Sequence, residues 1–185
     1  MIEDHPSVLP ENGIHPTIEG EPVVQENATG ELEPISAGLD GITIDLSFEW
    51  AYYCEIMTES IYRVRAADLF DESLTHDELD ERIERYGKKE ICDGITVDTA
   101  GNVYITDITN NAIGVTRPSG EYEIIARDDE QFLWPDGFYC GPDGHIYFTV
   151  TQLHRTPPFN QGEEESYTPF KLFRFESFAP VTVGR

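Results

Sequence analysis

Three aspartates, each followed by glycine, recur along the chain and are the residues best suited to chemistry. Asp40, Asp93 and Asp136 open the segments Asp-Gly-Ile-Thr-Ile-Asp, Asp-Gly-Ile-Thr-Val-Asp and Asp-Gly-Phe-Tyr-Cys-Gly. Carboxylates held close together repel one another, which raises the pKa of at least one unless a cation neutralises the charge. A hard cation with oxygen ligands, Ca²⁺ before Mg²⁺, suits such a group. We therefore predict a metal site at these three aspartates if the fold brings them together.

Each Asp-Gly pair also has a simpler interpretation. Aspartate before glycine is a common turn pair in which the carboxylate accepts hydrogen bonds from nearby backbone N–H groups. Asp136 follows Trp134 and Pro135, so it has the further alternative of capping its own turn. The sequence leaves the site and the turn interpretations open.

The Asp-Gly segments also open a repeat that predicts the fold. Each continues into a turn and then into further apolar strands, and the leading aspartates are 53 and 43 residues apart. Four-stranded propeller blades repeat every ~40–50 residues. We therefore predict an all-β fold, a partial β-propeller of about three blades.

The composition changes near residue 38 and divides the chain into two parts. The first part is rich in Pro and Glu and shows no sustained period, which predicts an extended arm or loop. The second part holds the repeat. The predicted boundaries are 1–37 for the arm and 38–185 for the blades, which cover about 38–90, 91–133 and 134–178.

The first repeat is longer than the second because it contains a predicted helix, Thr75–Tyr86. Thr75 and Glu78 have the spacing of a capping box, and Gly87 can end the helix in the left-handed conformation. The apolar residues on one face of this helix are Leu79, Ile83 and Tyr86.

The charge of the chain excludes two classes of partner. There are 36 acidic against 12 basic residues, a formal net charge of −24. Nucleic acids and anionic membranes are bound by cationic side chains, so neither is an expected partner. Cations and basic small molecules are the expected partners. No apolar run reaches the ~20 residues that span a bilayer, and the first residues lack the basic and apolar regions of a signal peptide.

Three cysteines, Cys54, Cys92 and Cys140, are too few for a disulfide scaffold. No CxxC motif is present, so we predict buried free thiols and assign them no chemistry.

Three blades do not close a propeller, because rings have ~4 to 8 blades and an open half exposes strand edges and blade faces. We therefore expect a fragment of a longer protein, or a subunit completed by a missing propeller half or by a second copy.

Several motifs together resemble a known family. These are Asp93–Asp98, Gly101–Asp107 and Asn110–Ile113, followed by Asp128–Asp136 and Gly141–Arg155. They are similar to the later blades of the major royal jelly and Yellow proteins, particularly their microbial relatives. The resemblance implies half of a six-bladed ring, distantly similar to gluconolactonases, and a secreted or periplasmic location.

The resemblance also implies a function. It favours a small-molecule binding protein, with an amine suited to the acidic charge, and places Asn111 at the ligand. Asn111 has the alternative of a left-handed hairpin turn. The gluconolactonase-like propellers hold a divalent ion at the level of the three aspartates. The alternative function is an enzyme, either a metal-dependent lactonase-like hydrolase or one that converts dopachrome-like oxidised catechols.

Overall fold

The computed structural model describes residues 2–184 as mainly antiparallel β-structure. The N-terminal arm forms two short hairpins rather than a plain loop. The first pairs β1 (Thr17–Ile18) with β2 (Glu21–Pro22), and the second pairs β3 (Val24–Glu26) with β4 (Leu32–Pro34). Among the described residues, no helix is both long and apolar enough to cross a membrane.

Three antiparallel sheets follow the arm, and within each the strands pair in sequence order. The first sheet contains β5 (Leu39–Ile44), β6 (Trp50–Glu55), β7 (Ser60–Arg65) and β8 (Glu84–Lys88). The second contains β9 (Cys92–Val97), β10 (Val103–Asp107), β11 (Ala112–Thr116) and β12 (Tyr122–Arg127). The third contains β13 (Pro135–Cys140), β14 (His145–Val150) and β15 (Lys171–Glu176).

The sheets are propeller blades, and the first strand of each blade is its innermost strand. Strand β9 contacts both β5 and β13, so the innermost strands of successive blades lie side by side. The predicted fold class, an all-β partial propeller of three blades, is confirmed.

The core lies mainly between neighbouring blades. Buried side chains of the first and second blades, including Tyr52, Ile61 and Ile105, form one cluster. Tyr104 and Ile146 belong to the corresponding cluster between the second and third blades. Each fully buried aliphatic or aromatic side chain contributes ~1.5–3 kcal/mol, so this inter-blade packing is the main source of stability.

The arm covers the end of the blades at which the innermost strands begin. Its buried residues Ile18, Val23 and Ile35 pack against Ile91, Trp134 and neighbouring apolar side chains from the blades. The arm is therefore held by a core that it shares with the blades, and this core includes Trp134, which donates a hydrogen bond to Asp93.

The predicted helix over Thr75–Tyr86 is wrong in its extent. Its capping box is present, but the helix, α2, covers only His76–Asp80, and a short helix α1 (Ala66–Leu69) that was not predicted precedes it. Tyr86 and Gly87 instead lie in β8.

Contacts with the second blade explain why residue 87 is a glycine. A Cβ on this residue would lie 2.5 Å from Thr116 Cγ2 and 2.8 Å from Gly120 Cα. The glycine therefore permits close approach of two blades and does not end a helix. Pairing with β7 outweighs the local helical pattern.

The capping box gives a first prediction. Replacing Thr75 by Ala removes the acceptor for the Glu78 N–H and one donor to the Glu78 carboxylate. We expect the free energy of unfolding to fall by ~1 kcal/mol, measured by urea denaturation. An unchanged midpoint and slope would contradict a contribution of this helix end to stability.

Candidate acidic site at the channel end

Each of the three Asp-Gly pairs lies at a β-bulge near the start of an innermost strand. In the first blade Leu39 pairs with Glu55 and Gly41 with Cys54, so Asp40 is an extra residue in the register. In the second blade Cys92 pairs with Asp107 and Ile95 with Ile105, so Asp93 and Gly94 lie opposite one residue of β10. In the third blade Pro135 pairs with Val150 and Phe138 with Phe148, so Asp136 and Gly137 lie opposite one residue of β14. Such bulges redirect side chains. All three Asp-Gly pairs are therefore within strands and not in turns.

The bulges bring the three carboxylates close enough to influence one another. Burial raises the pKa of Asp93 to about 7, and the negative charges of Asp136 and Asp40 add to this effect. Burial and the charge of Asp40 also raise the pKa of Asp136. The structure therefore places the predicted site residues together.

Close contacts explain the glycines that follow Asp93 and Asp40. A Cβ on Gly94 would lie 2.6 Å from the carbonyl oxygen of Asp136. A Cβ on Gly41 would lie 3.5 Å from the carbonyl oxygen of Asp93 and 2.8 Å from Cys54 Sγ. A side chain at Gly94 would therefore push apart two of the strands that carry the aspartates, whereas at Gly41 the close contact is with the Cys54 thiol of the same blade.

Trp134 is the main hydrogen-bond donor to this site. Its indole Nε1–H donates to Asp93 Oδ2 at 2.6 Å, which lowers the pKa of Asp93 against the effect of burial. The residue has a φ of +56°, a conformation that costs energy for a bulky side chain. Its ring stacks with those of His154 and Phe159, with centroid distances of 6.1 and 6.0 Å.

The arm is tied to the same region by an ionic network. Glu19 accepts hydrogen bonds from His154 Nε2 at 3.0 Å and from Arg155 Nη2 at 2.6 Å. Burial lowers the pKa of His154, and Glu19 opposes this shift. A cavity of about 860 Å³ lies between the arm and the segment after β14, with Val23 and Phe159 among its lining residues.

Asn111 lies in the turn between β10 and β11, at the same end of the second blade as Asp93. Its φ is +49°, the left-handed conformation that a hairpin turn requires. The side chain is buried, and its Oδ1 atom has no hydrogen-bond partner among the described residues. Its predicted role at a ligand stays a prediction.

Glu55 is a buried acid that the sequence analysis missed. It is fully buried, and neither carboxylate oxygen has a hydrogen-bond partner among the described residues. Burial raises its pKa to about 7, and the positive charge of Lys89 partly offsets the shift. Glutamate is usually exposed to solvent, and nothing in the sequence around Glu55 indicates that its side chain is buried.

The donor chemistry of the three aspartates fits a hard cation, because all their donors are carboxylate oxygens. Their arrangement does not, because within residues 2–184 no three or more His, Cys, Asp or Glu side chains are placed to hold a metal ion. In addition, one oxygen of Asp93 is already bonded to Trp134.

Comparison with known proteins identifies the family. The sequence model described as "Major royal jelly protein" matches residues 15–153. This chain belongs to the major royal jelly protein family. The predicted resemblance is thus confirmed. No curated protein sequence matches this royal jelly family member.

Solved structures show that the fold is shared with gluconolactonase-like propellers. A gluconolactonase from Xanthomonas campestris is similar with a TM-score of 0.54 and 13% identity, over 85% of this chain and 54% of that one. A putative gluconolactonase is similar with a TM-score of 0.50 and 14% identity, over 96% of this chain and 53% of that one. The calcium-binding protein regucalcin from Agrobacterium tumefaciens str. C58 is similar with a TM-score of 0.50 and 16% identity, over 83% of this chain and 53% of that one.

At these identities the likeness shows the fold alone. This royal jelly family member spans about half the length of the solved structures that it matches.

The raised pKa of Asp93 gives a prediction for stability. Because the folded-state pKa is about 7 and that of an unfolded aspartate is ~3.9, the folded chain binds the proton more tightly. The resulting stability is fully present below the unfolded pKa of ~3.9 and is lost progressively as pH rises from there to the folded pKa of about 7. We expect Asp93→Asn to raise the melting temperature at pH 8 and to leave it nearly unchanged at about pH 3, below the pKa of the unfolded aspartate.

The control for this comparison is Glu163→Gln, which removes one charge from an exposed loop. If both variants shift the melting temperature equally at pH 8, the effect of Asp93→Asn comes from net charge and not from burial of Asp93.

Proposed function

We propose that this chain is half of a small-molecule binding propeller whose acidic channel end takes a cationic organic ligand, such as an amine. The observation that carries the proposal is the convergence of Asp40, Asp93 and Asp136 at three equivalent bulges. Among the described residues, no ion pair involves any of them. An ammonium group would neutralise the negative charge that, together with burial, raises the pKa values of Asp93 and Asp136.

The whole protein charge supports the same class of ligand. At a formal −24, the surface attracts cations and repels anions before contact.

A matched pair of compounds tests the ligand class. We expect phenethylamine to bind and raise the melting temperature at constant ionic strength, whereas 2-phenylethanol, its neutral analogue, does not. Asp93→Asn removes a charged partner worth ~1.5–3 kcal/mol, so the affinity for the amine should fall about tenfold or more by calorimetric titration. Glu163→Gln should retain the affinity of the unmodified chain.

Equal shifts from the amine and the alcohol would contradict the proposal. So would equal amine affinities in the unmodified chain and Asp93→Asn.

A second candidate is metal-dependent lactone hydrolysis. The observation that favours it is a carboxyl group, Asp93, with a pKa of about 7, which can accept or donate a proton near neutral pH. Two of the matched folds are described as a gluconolactonase and a putative gluconolactonase, and a third as a calcium-binding protein. No observation favours the dopachrome-like conversion.

Calcium distinguishes the two candidates. For the amine site, Ca²⁺ and Na⁺ at equal ionic strength should shift the melting temperature equally, because both only screen charge. A shift specific to Ca²⁺ that Asp93→Asn removes, together with acid release from a lactone, would replace the amine proposal with the second candidate.

We further propose that additional blades, from a missing half or a second copy, complete the ring. Gly41 and Gly94 each receive the backbone of the next blade, whereas no described atom lies within 4 Å of a Cβ built on Gly137. Large apolar side chains are also exposed on the outer blades, with Phe70 at 83% and Leu172 at 63%. Both features fit a surface that packs against another blade.

The glycines supply the test. Gly94→Ala should destabilise the chain by ~1–3 kcal/mol, because its Cβ meets a backbone atom. Gly137→Ala should change the stability of the chain alone by less than ~0.5 kcal/mol, yet lower the fraction of assembled protein seen by light scattering. A monodisperse monomer of 20.9 kDa at all concentrations, unaffected by either glycine, would contradict assembly with a second copy.

A further inference from the structure

Two buried thiols face each other across the boundary between the first and second blades. Cys54 Sγ in β6 lies 3.7 Å from Cys92 Sγ in β9. Both side chains are fully buried. They lie 38 residues apart in sequence, so only the packing of the two blades brings them together.

We propose that Cys54 and Cys92 are a redox pair that closes into a disulfide and covalently joins the first two blades. A disulfide requires the sulfur atoms to approach to ~2.05 Å, which is less than 2 Å of movement from the observed separation. Rotation of both side chains about their χ1 bonds can supply much of that movement. The proposal does not depend on the ligand that the aspartates bind.

The third cysteine is separate from this pair. Cys140 lies in β13, and its Sγ contacts Thr96 Oγ1 at 3.6 Å, at the boundary between the second and third blades. The three cysteines therefore form one close pair, Cys54 and Cys92, and leave Cys140 as a single thiol. Cys140 provides an internal control, because it is equally buried but has no sulfur partner among the described residues.

The oxidant in the proposed reaction is a peroxide, which is small enough to reach the pair during local opening of the blade boundary. One cysteine thiolate attacks a peroxide oxygen, forming an S–O bond and breaking the O–O bond, and the leaving hydroxide takes a proton to become water. The second thiolate then attacks the oxidised sulfur. The S–S bond forms, the S–O bond breaks, and a second water is released.

The electron balance is complete. Two thiols lose two electrons and two protons, and one hydrogen peroxide becomes two waters. A thiol reductant reverses the reaction by thiol–disulfide exchange.

The disulfide would connect β9, which carries Asp93, to β6, the strand that pairs with the one carrying Asp40. Cys92 immediately precedes Asp93, and Cys54 pairs with Gly41, the residue after Asp40. Oxidation would therefore fix the separation of the first two bulges and restrict unfolding of the boundary between them.

The experiment treats the full chain with dilute hydrogen peroxide and then counts free thiols after denaturation. We expect the count to fall from three to one, with loss of two hydrogens by mass spectrometry and a linked Cys54–Cys92 peptide. Reduction should restore all three thiols. The melting temperature of the oxidised chain should rise by ~5–10 °C.

Matched variants assign the result. Cys140→Ser should lose both remaining thiols on oxidation, whereas Cys54→Ser and Cys92→Ser should form no intramolecular disulfide. Peptide mapping of the unmodified chain keeps the test valid if a variant does not fold. Three free thiols after treatment, a disulfide that contains Cys140, or a linkage only between chains would overturn the proposal.

Discussion

The close approach of neighbouring innermost strands is the constraint on which the rest of the structure depends. The backbone of one blade comes so near the next that Gly94 has no room for a Cβ beside the carbonyl oxygen of Asp136. Glycine is thus fixed after Asp93, and the bulges in the first two blades turn Asp40 and Asp93 out of the regular pleat. The packing of blades and the convergence of carboxylates therefore have one cause.

That convergence has an energetic cost that other parts of the chain offset. Asp93 is buried between two acidic neighbours, which raises its pKa to about 7, and the Trp134 indole supplies a compensating hydrogen bond. Trp134 can remain in a left-handed conformation because its ring is stacked on His154 and Phe159. Glu19 of the arm in turn binds His154, so the arm takes part in holding the acidic site.

The repeat in the sequence was sufficient to predict the blades and the candidate acidic residues, because Asp-Gly recurs wherever two innermost strands meet. It was insufficient for features that arise from tertiary contacts. Tyr86 carries a local helical pattern, yet pairing with the neighbouring strand places it in β8. Glu55 and Lys89 are buried together although their residue types favour the surface. The Cys54–Cys92 contact joins two blades and has no local signal.

The three aspartates are equivalent in the repeat but not in their surroundings. Asp93 has an acidic neighbour on each side, whereas Asp136 ends the array, beside a glycine that no further strand approaches among the described residues. If another blade with the same bulge packs against Gly137, Asp136 acquires the environment that Asp93 already has. Its carboxylate is then more buried and faces a further negative charge, so its pKa rises further. Completion of the ring and binding of a cation would therefore favour each other, because each additional carboxylate strengthens the need for a positive charge in the channel.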